Sequence, residues 1–277
     1  MKRLRRVVPA VLGVALLAST LTSCEWPEGT RYVHEVFDAY DTTAGITYRS
    51  TTTNTGQPID LKLDIFEPRG DTETERPVVM WMFGGAWQAG NRDQLRAFAQ
   101  DSAERGYVGV TIDYRTWVGS GFNLVTASNN AYADTIAAIE WLRSHAAEYD
   151  LDPDAIVAAG YSAGAINAMH AIYRPADSPA AGAVAIAGMT FNPPTAGRPP
   201  SLMFHGTADT TVPYSAATST CEQSQAAGNV CSLVTYQGAG HLIAFQQSAD
   251  IQTRTADFIF EQVLWPLGYR VEAMPAA

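Results

Sequence analysis

The chain has 277 residues, 47% of them apolar and 17% charged, and a formal net charge of −10. This is long enough for one large α/β domain or two small ones with a sizeable core, and no internal repeat or low-complexity tract interrupts it. The acidic balance argues against a nucleic-acid partner, whose binding rests on clustered Lys and Arg.

In chain order, Lys2, Arg3, Arg5 and Arg6 precede an apolar run, Val7–Leu21, broken by Pro9. A spanning helix needs ~20 apolar residues, so this shorter run reads as the core of a signal peptide. It ends in Leu21-Thr22-Ser23-Cys24, which resembles the bacterial lipobox. Residues 1–23 are thus expected to be a lipoprotein-type signal peptide, with Cys24 the acylated mature N-terminus. Residues 24–30 would be a tether and 31–277 a single domain. The protein would be exported and lipid-anchored on the outer face of the bacterial cell membrane, or secreted if the lipobox is not used. The anchor at Cys24 is the only membrane contact expected. With the four signal cations gone, 14 of the 18 basic residues remain against 28 acidic ones, a net charge of −14. Cys221 and Cys231 are then an even pair in an oxidising compartment, which predicts a disulfide.

Tyr32–Phe37 and Gly45–Tyr48 are candidate strands, and Ile59–Phe66 alternates strictly, as a half-buried strand does. These predict an antiparallel edge. From Pro77 onward buried strands alternate with helices. The strands are Val78–Phe83, Tyr107–Ile112, Ile156–Ala159, Ala183–Ala187, Ser201–His205 and Cys231–Tyr236. The helices are Gln94–Arg105, Asn129–Tyr149, one seen in Ala165, Ile166, Ala168, Met169 and Ile172 before Pro175 stops it, Tyr214–Ala227 and Ser248–Leu264. Such alternation predicts an α/β fold with a mostly parallel central sheet and helices on both faces. The connection Gly188–Pro200 is too short for a large lid domain.

Gly160-Tyr161-Ser162-Ala163-Gly164 fits the G-x-S-x-G nucleophile elbow, with a strand before it and a helix after it. A serine nucleophile needs a base and a group that orients the base. Asp209 follows the strand Ser201–His205, and His241 follows Cys231–Tyr236, so the order Ser162, Asp209, His241 is the α/β-hydrolase order. All three follow strand C-termini, where open α/β sheets place their sites. His170, eight residues into the elbow helix, is read as structural, and His205 as shaping the Asp209 loop. Backbone donors for an oxyanion are expected at Ala163, the residue after the nucleophile, and in the loop Gly84-Gly85-Ala86-Trp87. Trp87, Tyr114, Trp117, Phe122 and Tyr161 are candidates for an aromatic substrate pocket. No His, Cys and carboxylate cluster has metal-ligand spacing, so neither metal nor cofactor is expected.

On these segments the chain resembles the α/β-hydrolase superfamily, most closely the small bacterial esterase/lipase (carboxylesterase) group with a His-Gly-Gly-x-Trp oxyanion motif. Phe83-Gly84-Gly85-Ala86-Trp87, Asp113-Tyr114-Arg115, Asp152-Pro153, Gly160–Gly164, His205-Gly206 with Asp209, and Gly240-His241 carry the likeness, which runs from Ile59 to Leu264. The resemblance implies an α/β-hydrolase catalytic domain that cleaves small-molecule or polymer-linked carboxylic esters. Its triad would be Ser162, Asp209 and His241, with Gly85 and Ala86 donating beside Ala163. Phe83 departs from the family pattern, standing where relatives have a histidine that braces the oxyanion loop. Two other readings are a peptidase or amidase on the same fold, and a non-catalytic surface binding module.

Overall fold

The computed structural model describes residues 26–271; the expected signal peptide and Cys24 lie outside them. Eight strands form one sheet: β1 (Tyr40–Thr52), β2 (Pro58–Pro68), β3 (Arg76–Met82), β4 (Val108–Ile112), β5 (Leu151–Tyr161), β6 (Gly182–Ile186), β7 (Ser201–Gly206) and β8 (Cys231–Tyr236). Their order is β1-β2-β4-β3-β5-β6-β7-β8. β1 and β2 supply the antiparallel edge, and β4 through β8 run parallel with β3. Every residue of β3, β4 and β6 is buried, because helices cover both faces of a parallel sheet.

Those helices are α1 (Arg96–Glu104), α2 (Leu124–Ser144), α3 (Ala163–Tyr173), α4 (Tyr214–Ala226), α5 (Ile243–Gln246) and α6 (Ser248–Ile259). The two-residue period of a strand divides the core between them. Val78, Met80 and Met82 of β3 pack with α2, α3 and α4, as in the contacts of Ile139, Ile166 and Ala217. Val79 and Trp81 face the other way, onto Phe98 of α1 and Ile259 of α6. Cys221 in α4 and Cys231 at the start of β8 form a disulfide.

Several boundaries differ from those read in the sequence. Tyr32–Phe37 is not a strand. Its N–H groups bond instead to the last carbonyls of α1, Tyr32 to Arg105 and Val36 and Phe37 to Glu104. The alternating apolar side chains bury a strap over a helix end, with Tyr32 against Tyr107 and Tyr269. Helix α2 starts five residues earlier than expected because Asn123 caps it, its side chain accepting from the Thr126 N–H. In β5 the Asp152-Pro153-Asp154 turn survives as a bulge: pairing jumps from Arg76↔Leu151 to Val78↔Ile156. The last helix ends in a π-turn at Phe260–Leu264. The short α5 after His241 has no counterpart in the sequence reading.

Residues 187–200 run irregularly from β6 to β7, and no helical lid is inserted there. At the opposite end of the sheet, Trp26 packs edge-on against Phe260 at 4.9 Å and beside Trp265. Thr30 is fully buried, so the end of the expected tether already lies against the domain.

Candidate active site

Strand β5 turns into α3 over a single residue. Ser162 has φ 55° and ψ −116°, a conformation that costs a non-glycine residue about 1–3 kcal/mol and persists only where its surroundings impose it. The surroundings here are tight. A Cβ on Gly164 would lie 2.1 Å from the Met82 carbonyl oxygen, and one on Gly160 would lie 2.4 Å from the Gly164 backbone. Glycine at both places lets the helix start sit directly on the strand ends. The Ser162 N–H donates to the Ile186 carbonyl at 2.9 Å, which tethers the turn to β6.

Two loops, one after β7 and one after β8, meet the serine. His241 Nε2 is 2.9 Å from Ser162 Oγ, and His241 Nδ1 is 2.7 Å from Asp209 Oδ2. The loops are joined to each other: Thr207 N–H donates to the Tyr236 carbonyl, Ala208 N–H to the Ala239 carbonyl, and Gly238 N–H to Thr207 Oγ1. Burial alone would raise the Asp209 carboxyl. Hydrogen bonds from His241 and from the Val212 and Thr211 N–H groups outweigh that and hold it below the usual carboxylate range. It is therefore ionised at neutral pH, and its Oδ1 takes both backbone donors while Oδ2 faces His241. His205 is fully buried, with Nε2 donating to the Val212 carbonyl at 2.9 Å. Burial pushes it below the ordinary histidine value, only partly offset by that bond and by Asp209. It stays neutral and shapes the turn.

The loop after β3 runs against the nucleophile: a Cβ on Gly84 would lie 2.7 Å from the Tyr161 ring and 3.1 Å from Ser162 Cβ. Gly85 has φ 130°, and Ala86 and Trp87 are both left-handed at 53° and 57°. Among the described residues the N–H groups of Gly85, Ala86 and Ala163 donate to no protein acceptor. The Gly84 N–H is taken, donating to Gln94 Oε1 at 2.6 Å.

That bond bears on Phe83. Its ring stacks on Tyr114 at 4.0 Å and 6° between planes, and the Tyr114 hydroxyl donates to the Phe83 carbonyl at 2.7 Å. Burial pushes the Tyr114 phenol far up, so it remains a donor. The loop is thus braced by an aromatic stack, a tyrosine hydroxyl and the Gln94 carboxamide. Gln94 is itself held in place. The Arg92 N–H and guanidinium bond Asp113 at the end of β4, and Arg92 and Arg96 both bond the fully buried Asp64 of β2. Nothing in the local sequence around Gln94 signals this role, which arises from tertiary apposition. Replacing Gln94 by leucine should lower kcat for p-nitrophenyl acetate about 10-fold with KM little changed, while Gln94→Glu, which keeps an acceptor, should recover most of the rate. A KM effect without a kcat effect would contradict a bracing role.

The expected pocket aromatics part company. Tyr161 lies beside His241, ring centroids 5.2 Å apart, its phenol pushed up to about 12 by burial and then by Asp209. Trp87 is buried, with Nε1 donating to Asn167 Oδ1 at 3.0 Å. Tyr114 lies under the loop as a brace, away from solvent. Trp117 donates its N–H to the Trp87 carbonyl and packs edge-on with the exposed Phe122. Beyond the site, Asp134 is fully buried and binds Arg115 and Arg49. Among the described residues no group of three His, Cys, Asp or Glu side chains is placed to hold a metal.

A strained serine between a parallel strand and a helix, with aspartate and histidine from the loops after β7 and β8, defines an α/β-hydrolase. Comparison with known proteins agrees. The BD-FAE family profile matches residues 63–178 and the prolyl oligopeptidase family profile residues 190–264. Thermogutta terrifontis esterase 2 phosphoramylated by tabun is similar over 84% of this chain and 96% of its own, with TM-score 0.67 and 28% identity. Lipase 1 of Geotrichum candidum is 32% identical over 120 residues, 40% of this chain and 21% of that protein. Carboxylesterase 5A of Ovis aries is 33% identical over 119 residues, 42% of this chain and 31% of that protein. The chain spans about a fifth to a third of the length of these two relatives. Its fold is that of an α/β-hydrolase, and the proteins it is similar to include esterases and lipases.

Proposed function

We propose that the protein hydrolyses carboxylic esters through an acyl-enzyme. Ser162 Oγ attacks the ester carbonyl as His241 Nε2 takes its proton, and Asp209 holds the imidazole in the Nδ1–H tautomer. The N–H groups of Ala163 and of Gly85 or Ala86 stabilise the resulting oxyanion. His241 then returns the proton to the leaving alkoxide, and the alcohol departs. Water attacks the acyl-Ser162 ester, giving its proton to His241, and the carboxylic acid leaves as that proton passes back to Oγ. The single observation that carries this reading is the continuous Ser162–His241–Asp209 relay at 2.9 and 2.7 Å. The lidless connection at residues 187–200 suits short-chain or otherwise accessible acyl esters, small or polymer-linked.

The test is covalent labelling. The similar Thermogutta terrifontis esterase 2 is phosphorylated by paraoxon, and the same reagent should label wild type here at Ser162 and leave Ser162→Ala unlabelled. Equal labelling of both would remove Ser162 from the mechanism. A second reading, peptide or amide hydrolysis, is favoured by the prolyl oligopeptidase match over residues 190–264, which includes Asp209 and His241. Turnover of an alanine p-nitroanilide at a rate near that of p-nitrophenyl acetate would support it over the ester reading.

The address is part of the same proposal: export, with a lipid on Cys24. Trp26 lies on Phe260 and Trp265, and the strap that follows is bound to the end of α1, where β4 begins. The chain therefore enters at the N-terminal ends of the parallel strands, a strand length of roughly 17 Å from the site, so the catalytic mouth would face away from an anchoring membrane. Cells fed radiolabelled palmitate should yield labelled wild type in the membrane fraction and unlabelled Cys24→Ala. Unlabelled wild type would leave a secreted protein.

A further inference from the structure

One fully buried histidine takes no part in the site. His170 sits in α3 at 1% exposure, with neither ring nitrogen bonded to any protein group among the described residues. A buried polar group without a partner is costly and calls for an explanation. His170 lines an open cavity of about 300 Å³, walled by Leu124 and Val125 at the start of α2, by Phe191, and by Asn129 and Arg174. Phe191 lies between the cavity and the oxyanion loop, its ring 5.5 Å from that of His170 and 6.2 Å from that of Trp87. Trp87 in turn is bonded to Asn167, one turn before His170 on α3.

We infer that this cavity is a second recognition site for the substrate, where His170 binds a hydroxyl group carried at the far end of the acyl chain. The inference rests on the esterase reading above and names the substrate class of that same site. Position assigns the group to the acyl side. The leaving alcohol takes its proton from His241, which packs with Tyr161, itself beside Phe245, and none of these borders the cavity. Distance fixes the length. His170 lies eight positions beyond Ser162, roughly 12 Å along the helix axis, and side chains lean back towards the N-terminus, so about 10 Å separates the two functional groups. Chemistry fixes the group. Burial, with a smaller push from Arg174, lowers His170 to about 3, so the ring is neutral and offers one donor and one acceptor, as a hydroxyl requires. The Arg174 guanidinium lies over the Tyr132 ring at 4.0 Å and bonds Asn129 Oδ1. It is already engaged, so an anionic end group is not favoured.

The experiment compares p-nitrophenyl 8-hydroxyoctanoate with p-nitrophenyl octanoate, a pair whose acyl chain spans about 9–10 Å when extended. Wild type should prefer the hydroxylated ester about five-fold in kcat/KM, the size of one net hydrogen bond. His170→Phe should bring the ratio to about one, and His170→Gln, which keeps a donor and an acceptor, should retain part of it. Since a buried substitution risks the fold, Val125→Trp at the exposed rim, which narrows the cavity from outside, provides a second check and should also abolish the preference. A wild-type ratio of one, a ratio unmoved by His170→Phe and Val125→Trp, or no turnover of either long ester would overturn the subsite alone, provided p-nitrophenyl acetate is turned over. Folded wild type that hydrolyses no p-nitrophenyl ester at all would overturn the esterase reading, and the subsite with it.

Discussion

Exchanging Asp209 for asparagine should cut kcat for p-nitrophenyl acetate by about 10⁴-fold and barely move KM. The geometry says why so small a change is so costly. Oδ1 accepts the Thr211 and Val212 N–H groups at 2.8 and 2.9 Å, so the amide oxygen of asparagine must take that side. The new NH₂ then replaces Oδ2 and points at His241 Nδ1 from 2.7 Å. A donor there forces Nδ1 to accept, which places the imidazole proton on Nε2, facing Ser162. In that tautomer the histidine cannot take the serine proton. The same NH₂ would also face the Nε2 of His205 at 3.3 Å, which already carries a proton for the Val212 carbonyl. Steady-state kinetics on protein shown by circular dichroism to be folded would decide it, and a loss below about ten-fold would mean that Asp209 does not orient the base.

The parts of this site that could be read in the chain are those encoded locally. Gly160–Gly164 announces a strand-to-helix turn because only glycine fits at 160 and 164, and Asp209 and His241 each follow a short apolar run by a few residues. Strands β2 and β8 were legible from their alternation, and the buried strands β3 to β7 because burial on both faces leaves apolar runs. What escaped was set by apposition across the fold. Gln94 lies ten residues beyond Gly84 in an ordinary polar stretch, and only the pinning of Arg92 and Arg96 on Asp64 and Asp113 aims it at the loop. The strap at Tyr32–Phe37 has the pattern of a strand, but its hydrogen-bond partners are the unsatisfied carbonyls of a helix end. From the sequence His170 is an ordinary structural histidine; its isolation from hydrogen-bond partners, and the cavity beside it, exist only in three dimensions.

Phe83 changes meaning in that light. A histidine at this position would brace the loop through one side-chain bond, whereas here the ring is a packing surface for Tyr114 and the polar bracing is divided between the Tyr114 hydroxyl and Gln94. The loop's conformation is thus held from below by burial and from the side by a single carboxamide. Its two exposed residues ahead of Trp87, Gly85 and Ala86, are left with their N–H groups free.

The sharpest test of that loop is Gly85→Ala, which should lower kcat for p-nitrophenyl acetate by about 10²–10³-fold, the cost typical of losing an oxyanion donor. A Cβ at Gly85 would lie 2.1 Å from the Ala89 carbonyl oxygen, in a backbone held at φ 130° where side chains are rarely accommodated. The turn closed by Gln88 and Ala89 N–H bonds to the Gly85 carbonyl must then open, which swings the Gly85 and Ala86 N–H groups off the oxyanion. Because Gly85 is exposed, the fold should survive, with a thermal midpoint within a few degrees of wild type. Ala86→Gly provides the contrast. It relieves a left-handed alanine at φ 53° and keeps its N–H, so its kcat should fall less than ten-fold. If both variants lost activity equally, side-chain contacts in the loop would matter more than its backbone donors. If neither did, Ala163 alone would be stabilising the charge, and the strain stored at the left-handed Ala86 and Trp87 would need another explanation.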